Sequence, residues 1–199
     1  MDADVLAIHA VSLEDVTAEF RAAGVTLIQY RNKSGSPQEM LQSAEILRTT
    51  MAGSACRLIM NDRADLAVLA NFNGVHVGQS DLSPEDARRV VGPSRLVGVS
   101  THNDAQVRLA DQSDADYIAI GPIFATGTKP DAEAVVGLEG VRRARALTTK
   151  PLVAIGGITR ANARSVIDAG ADSVAIISAL FAPGETVEKV ARDFLQLLR

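Results

Sequence analysis

The chain has 199 residues, of which 47% are hydrophobic and 22% charged, with 20 basic and 24 acidic side chains and a net charge of −4. This apolar content excludes a disordered chain, and the length predicts one domain or at most two small ones. The mild acidity and the lack of a Lys/Arg cluster argue against a nucleic-acid partner. No apolar run approaches the ~20 residues of a membrane span, and the short apolar stretch at the N-terminus lacks the basic flank of a signal peptide. The single cysteine excludes an internal disulfide. We therefore expect an untargeted cytoplasmic protein with no membrane partner.

Eight short apolar, β-branched runs of strand length recur along the chain. Their apolar character is continuous rather than alternating, which is typical of strands covered on both faces, as in a parallel sheet. The predicted strands are Val5–His9, Val25–Tyr30, Arg57–Asn61, Gly74–Gly78, Leu96–Ser100, Tyr117–Gly121, Leu152–Gly156 and Val174–Ser178.

Helix start signals lie between the predicted strands. Residues 36–39, SPQE, have the pattern of a capping box with proline at the first helical position, and residues 83–86, SPED, repeat it. At the end of the chain, apolar residues recur at three- and four-residue spacings from Val187 to Leu198, which predicts one buried face of a helix.

The predicted strands begin about 24 residues apart on average, a spacing that fits one βα unit. Because no linker or low-complexity segment interrupts this period, we predict an α/β fold, a single (β/α)8 TIM barrel in which residues 1–199 form one domain. A doubly wound open sheet is the alternative, since periodicity alone does not show closure. The longest interval, between residues 117 and 152, predicts an extended loop after the sixth strand, and such loops are usually functional.

Polar residues follow nearly every predicted strand end, where the active site of a (β/α)8 barrel forms. Gln29, Arg31 and Lys33 alternate along the end of the second strand, so their side chains point to one face. Taken alone, they would be interpreted as a solvated strand end. With Lys129 from the loop after the sixth strand, three cations surround one barrel mouth, which indicates an anionic ligand such as phosphate or diphosphate.

Two carboxylates, Asp62 and Asp81, follow the third and fourth predicted strands. Mg²⁺ takes few protein oxygens and completes its shell with water and substrate phosphate, so this pair, with Asn61 adjacent, predicts a magnesium site. The alternative is that Asp62 caps the next helix and that Asp81 acts as an N-cap donor ahead of Ser83.

A second anion site is indicated after the last two predicted strands. Gly156 and Gly157 expose backbone N–H groups to a phosphate, and the turn at Ser178 and Ala179 offers more donors. The loops after strands seven and eight are the recurring phosphate site of this fold.

The three histidines, His9, His76 and His102, lie near predicted strand ends and suggest a transition-metal site as a rival hypothesis. No HxH or HxxxH pair occurs, however. We interpret His76, within VHVG, as a core residue that is hydrogen-bonded inside the barrel.

Seven segments match one enzyme family in order and at near-family spacing, from Gln29 to Leu180, which is about three-quarters of the chain. They are IQYRNK, LIMNDRADLA, GVHVGQSDL, VGVSTHN, ADYIAIGPIFATGTKPDA, PLVAIGGIT and VAIISAL. On these motifs, of which GPIF-x-T-x-TK and NDR-x-DLA are together highly specific, the chain resembles the thiamine phosphate synthase family.

The resemblance implies a transferase of thiamine biosynthesis that joins hydroxymethylpyrimidine diphosphate to thiazole phosphate, giving thiamine phosphate and pyrophosphate with Mg²⁺ as cofactor. It implies small-molecule substrates and leaves a homo-oligomer open. By resemblance, the residues that bind the pyrimidine and its diphosphate are Gln29, Arg31, Lys33, Asn61, Ser100 and Lys129, and the metal ligands are Asp62 and Asp81. The matching contacts of the thiazole phosphate are Thr126, Thr128, Gly157, Ile177 and Ser178.

We expect Arg31, Lys33 and Lys129 to be catalytic, because they would neutralise the charge that develops on the leaving diphosphate. Two alternatives remain: a barrel like the related thiazole tautomerase, and a non-catalytic phosphate-binding barrel. The tautomerase should not need the diphosphate and metal residues, and retention of every matched polar position argues against a non-catalytic protein. The N-terminal unit departs from the family, since it is short and His9 and Ala10 stand where an Asp is often found.

Overall fold

A computed structural model describes residues 1–126 and 134–198 of the protein. Within these residues, seven strands form one parallel sheet in which each strand pairs with the next along the chain. The strands are β1 (Leu27–Tyr30), β2 (Arg57–Asn61), β3 (Gly74–Val77), β4 (Leu96–Thr101), β5 (Tyr117–Ile120), β6 (Leu152–Ile155) and β7 (Ser173–Ala175). They confirm the second to eighth predicted strands, with small shifts at the strand ends.

Helices connect the strands and cover the outer face of the sheet. They are α1 (Ala3–Ile8), α2 (Leu13–Ala23), α3 (Pro37–Thr50), α4 (Ala64–Leu69), α5 (Pro84–Val91), α6 (Asp104–Gln112), α7 (Gly137–Leu147), α8 (Ala163–Asp168) and α9 (Val187–Leu197), with a short 3₁₀ turn at Ser178–Leu180. Strict alternation of parallel strands with helices makes this an α/β fold with a half-barrel sheet of TIM-like type.

The predicted start signals fix two of the helices. At the start of α3, Ser36 Oγ accepts a hydrogen bond from the backbone N of Glu39 at 3.3 Å, and the Glu39 carboxylate accepts one from Ser36 N at 2.7 Å. This reciprocal pair is the predicted capping box. At the start of α5, Ser83 Oγ accepts from the backbone N of Asp86 at 3.1 Å.

The first predicted strand, Val5–His9, is wrong, because residues 3–8 form the helix α1. Asp2 caps this helix: its Oδ1 accepts from the backbone N of Asp4 at 3.1 Å and of Val5 at 3.4 Å. A short apolar run does not by itself distinguish a strand from a helix, and the cap decides in favour of the helix. The described residues therefore contain seven strands and do not show the closed eight-stranded barrel that we predicted.

Residues 1–3 lie beside β1 in place of that strand. The backbone N of Arg31 donates to Met1 O at 2.8 Å, and the N of Ala3 donates to Arg31 O at 2.9 Å. Asp2 forms a parallel bridge to Arg31. The start of the chain is thus hydrogen-bonded to the end of β1, from which Arg31 and Lys33 of the predicted site follow.

The last helix packs beside the second. Glu188 N donates to Glu19 Oε2 at 2.8 Å, and Arg192 Nη2 donates to Ala22 O at 2.9 Å. The helical layer therefore brings the two ends of the chain together. In the part of the chain that the structure describes, no helix has the length and apolar content to cross a membrane.

Candidate functional site

A cavity of about 410 Å³ opens at the carboxyl ends of the strands. Ten of the predicted site residues line it, and they come from the ends of all seven described strands or from the loops that follow them. These residues are Arg31, Lys33, Asn61, Asp62, Asp81, Ser100, Thr126, Gly157, Ile177 and Ser178. The parallel sheet therefore gathers into one cavity residues that lie up to 147 positions apart in the sequence.

The remaining predicted residues lie outside this group. Gln29 does not line the cavity, but its Nε2 donates to Asn61 Oδ1 at 2.7 Å, so it orients an amide that does. Thr128 and Lys129 lie outside the described residues. Tyr30, between Gln29 and Arg31, is buried in the core, as the alternation along the strand predicts.

Arg31 enters the cavity from the end of β1 and is anchored by a carboxylate at its back. Its Nη1 lies 2.5 Å from Asp2 Oδ2. Asp2 is only 4% exposed, and it is also the N-cap of α1. Asp2 thus holds the Arg31 guanidinium at the cavity wall through Nη1. The other N–H groups of the guanidinium can then bind a ligand.

Asp62 and Asp81 lie next to each other in the lining of the cavity. Burial raises the pKa of Asp62 above its usual range, and the neighbouring Asp81 carboxylate adds to this shift, whereas Lys33 opposes it. Lys33 Nζ lies 2.5 Å from Asp62 Oδ2. Asp62 has a φ of 61°, a left-handed conformation that non-glycine residues seldom adopt outside functional or turn positions.

Neither carboxylate caps a helix. The helix α4 begins after Arg63 without a side-chain cap, and the N-cap of α5 is Ser83. Asp81 Oδ2 instead accepts from Gly78 N at 2.8 Å and closes the turn after β3. The capping alternative is therefore wrong for both residues.

The carboxylate pair is a donor set suited to a hard divalent cation, because a cation between the two carboxylates would offset their mutual repulsion. Within residues 1–126 and 134–198 there is no group of three or more His, Cys, Asp or Glu side chains that could hold a metal ion. Two protein carboxylates leave most of an octahedral shell to water and to substrate oxygens, which is how Mg²⁺ is usually bound.

Ser100 lines the cavity and is hydrogen-bonded to a histidine. His76 Nε2 lies 2.8 Å from Ser100 Oγ, and His76 Nδ1 lies 2.9 Å from Tyr117 Oη. The prediction that His76 is a buried, hydrogen-bonded residue is confirmed. It also lines the cavity, a role that its place within VHVG does not predict.

The opposite side of the cavity is formed by the loops after β6 and β7. Gly157 has a φ of 64°, and a Cβ atom there would lie 2.6 Å from Ala125 O and 2.7 Å from Phe124 Cβ. Phe124 N donates to Gly156 O at 3.1 Å. Glycine is therefore required where the loop after β6 touches the loop that leads to Thr126.

A family model described as thiamine monophosphate synthase matches residues 5–180 of the chain. The chain belongs to this family. The thiamine-phosphate synthase of Koribacter versatilis is 56% identical over 187 residues, which cover 94% of this chain and 87% of that relative. That of Chloroflexus aurantiacus is 45% identical over 88% of this chain and 80% of its own length.

A solved structure agrees with these relatives. Thiamine phosphate pyrophosphorylase from Pyrococcus furiosus superposes with a TM-score of 0.85 at 32% identity, over 93% of this chain and 88% of that one. Membership of the thiamine monophosphate synthase family makes the protein a transferase of thiamine biosynthesis, as the motifs predicted.

Several residues that line the cavity were not predicted as site residues, and three of them carry ring or amide nitrogens. Besides His76, Gln79 donates from Nε2 to Ser100 O at 2.6 Å, and His102 Nδ1 lies 2.6 Å from Gly121 O. Gln79 directly follows the predicted strand that ends at Gly78, and His102 lies two residues after the one that ends at Ser100, a signal that could have found them. His9, in contrast, is at the end of α1 and stacks on Phe181, so its predicted place at a strand end is wrong.

Proposed function

We propose that the protein catalyses the thiamine phosphate synthase reaction, in which hydroxymethylpyrimidine diphosphate and thiazole phosphate give thiamine phosphate and pyrophosphate. The observation that carries this proposal is the cavity at the strand ends. It combines cationic side chains, a carboxylate pair and the glycine pair Gly156 and Gly157 within one chain of this family.

Arg31, Lys33, Asn61 and Ser100 are proposed to bind the pyrimidine diphosphate, with Gln29 acting on Asn61. The contact between Gln29 and Asn61 supports this role, because it fixes the amide face that an aromatic nitrogen heterocycle would meet. Lys129 is proposed to bind the same diphosphate from the loop after β5.

Asp62 and Asp81 are proposed as the ligands of Mg²⁺, and their adjacency beside the cationic side chains supports the assignment. When bound, the ion supplies positive charge to the leaving diphosphate. Lys33 contacts Asp62 at 2.5 Å, so in the protein without ligands it neutralises one member of the pair. In the substrate complex, Lys33 turns its charge to the diphosphate.

The thiazole phosphate is proposed to bind Thr126, Thr128, Gly157, Ile177 and Ser178. Backbone N–H groups near Gly157 and the turn at Ser178 suit a phosphate, because a glycine lets the anion approach the main chain. The two anion sites then lie on opposite sides of one cavity, which places the two substrates next to each other.

The chemistry needs charge stabilisation rather than a protein nucleophile. As the C–O bond to the diphosphate breaks, charge grows on the leaving oxygen, and the positive charges of Arg31, Lys33 and Lys129 offset it. The thiazole ring nitrogen attacks the pyrimidine methylene with its own lone pair. It has no proton to lose, so no general base is required.

For the fold, we infer that residues 1–199 form one catalytic domain of (β/α)8 type. Residues 1–3, hydrogen-bonded to β1, occupy the place of the first strand. The contact of α9 with α2 and the TM-score with the Pyrococcus furiosus protein support this inference.

The test is product formation by the purified protein. Both substrates, with Mg²⁺ or with a chelator, should give thiamine phosphate and pyrophosphate in equal amounts only when the metal is present. Omission of either substrate is the control. Isomerisation of a thiazole phosphate without condensation would favour the tautomerase alternative, and folded protein that binds both substrates without making product would favour the non-catalytic one.

A further inference from the structure

Three neighbouring strands place His76, Gly98 and Tyr117 in one row across the sheet. In the pairing register, His76 of β3 is opposite Gly98 of β4, and Gly98 is opposite Tyr117 of β5. A Cβ atom at Gly98 would lie 2.1 Å from Cζ of Tyr117. The missing side chain therefore lets the Tyr117 ring cross β4, so that its hydroxyl reaches His76 Nδ1 at 2.9 Å.

The other nitrogen of His76 points to the cavity. Ser100 lies two residues after Gly98 on β4 and so points to the same face as this row. His76 Nε2 is 2.8 Å from Ser100 Oγ, and both side chains line the cavity. A continuous series of hydrogen bonds thus joins Tyr117, His76 and Ser100.

The direction of these hydrogen bonds is fixed at the tyrosine. Burial raises the pKa of the Tyr117 hydroxyl well above its usual range, so this group keeps its proton. Among the described residues, His76 Nδ1 is the hydrogen-bond partner that the structure gives Tyr117 Oη. When the hydroxyl donates to Nδ1 of an imidazole that carries one proton, that proton resides on Nε2 and is donated to Ser100 Oγ.

This arrangement leaves the proton of the Ser100 hydroxyl directed away from His76. In the opposite tautomer, Nδ1–H would point at Tyr117 Oη and leave the tyrosine proton without an acceptor in the described part of the chain. Ser100 would then donate to Nε2 and present only lone pairs to a ligand. The oxygens of a diphosphate are acceptors, so only the first arrangement suits an anion beside Ser100.

We propose that Tyr117 and His76 are positioning residues that fix the Ser100 hydroxyl as a hydrogen-bond donor to the substrate diphosphate. The proposal rests on the proposed function for the identity of the substrate, and it adds two residues to the diphosphate side of the site. Neither side chain transfers a proton. Their effect is on the orientation of one donor, so they act before any bond is broken.

The first experiment measures the tautomer directly. The chain has three histidines, so long-range ¹H–¹⁵N correlation spectra of the full-length protein contain few imidazole signals, and His76→Gln identifies those of His76. We expect the protonated nitrogen to be Nε2 in the wild type. In Tyr117→Phe, which removes only the hydroxyl, we expect a mixture of the two tautomers. A wild-type imidazole protonated on Nδ1 would overturn the proposal.

The second experiment measures what the hydroxyl does for the site. Loss of one oriented neutral hydrogen bond predicts about 3- to 10-fold weaker binding of inorganic pyrophosphate with Mg²⁺ by Tyr117→Phe in calorimetry. It also predicts a similar fall in kcat/KM for the pyrimidine diphosphate with an unchanged KM for the thiazole phosphate. Tyr30→Phe is the matched control, because Tyr30 Oη contacts Asn32 outside the cavity, and it should leave all values unchanged.

The variants at His76 separate positioning from packing. A glutamine amide can replace the Nε2–H donor, so His76→Gln should bind pyrophosphate better than His76→Leu, although both variants lose the ring. Equal pyrophosphate affinity of Tyr117→Phe and the wild type would contradict the proposal. If the wild-type protein makes no thiamine phosphate, the proposed function fails, whereas the tautomer and the pyrophosphate affinities still decide the role of Tyr117 and His76.

Discussion

Substitution of Gly157 by alanine tests how the two halves of the cavity are joined. The φ of 64° at this residue is unfavourable for alanine by about 1–2 kcal/mol. The new methyl group would also lie 2.6 Å from Ala125 O and 2.7 Å from Phe124 Cβ, so the backbone of the loop after β5 must move. Overpacking of this kind costs about 1–3 kcal/mol.

Together these two effects predict a loss of about 2–5 kcal/mol in the free energy of unfolding for Gly157→Ala. Gly53→Ala is the matched control, because Gly53 has a φ of 74° and no atom within 4 Å of the added Cβ. This control should lose only the about 1–2 kcal/mol of the backbone conformation. The difference between the two variants isolates the contact between the loops.

Urea unfolding of both variants gives the two free energies, and calorimetry gives the affinity for thiazole phosphate. Gly157→Ala should bind thiazole phosphate more weakly, because the displaced loop leads to Thr126, whereas Gly53→Ala should bind it normally. Equal destabilisation of the two variants, together with unchanged affinity for thiazole phosphate, would refute the assigned contact between the loops and its role in the site.

Substitutions at four further residues test other parts of the site. Asp62→Asn and Asp81→Asn should each raise the Mg²⁺ concentration needed for half-maximal activity, because each removes an anionic oxygen from the same ion. A Mg²⁺ titration that is unchanged in both variants would contradict the metal assignment. Asp2→Asn keeps the helix cap but removes the charge opposite Arg31, so it should lower the free energy of unfolding by about 1–3 kcal/mol in urea titrations. Asp2→Ala also removes the cap and should lose about 1 kcal/mol more. Equal free energies of unfolding for the two variants would contradict the capping role of Asp2. Lys129→Ala should lower kcat/KM by an amount that corresponds to about 2–4 kcal/mol of lost transition-state stabilisation, while the melting temperature stays constant. Normal turnover by this variant would contradict a catalytic role of Lys129.

The parallel sheet was predictable because its signals are local. Continuous apolar runs predicted the positions of all seven strands, and the capping box at Ser36 and Glu39 predicted the start of α3. The first strand was not predictable in this way. Its apolar run has the same composition as a short amphipathic helix, and the Asp2 cap that favours the helix precedes that run by only three residues.

The site was predictable where residues follow strand ends, since the topology of a parallel sheet brings those ends together. Contacts that depend on the register between strands were not. No sequence pattern relates Gly98 to the hydroxyl of Tyr117, and the hydrogen bond of His76 to Ser100 depends on the relative positions of β3 and β4. Likewise, no sequence pattern shows that Asp62 lies beside Asp81, a residue from another loop.

The most direct test of the account measures thiamine phosphate and pyrophosphate formed by the wild-type chain and by Arg31→Ala under the same conditions, with Mg²⁺ and both substrates. Arg31 lines the cavity at the end of β1 and faces the proposed diphosphate site. We expect the wild type to form the two products in equal amounts and the variant to form them at least about 100-fold more slowly. Absence of product from the wild type, or equal rates for both proteins, would contradict the claim that this cavity synthesises thiamine phosphate.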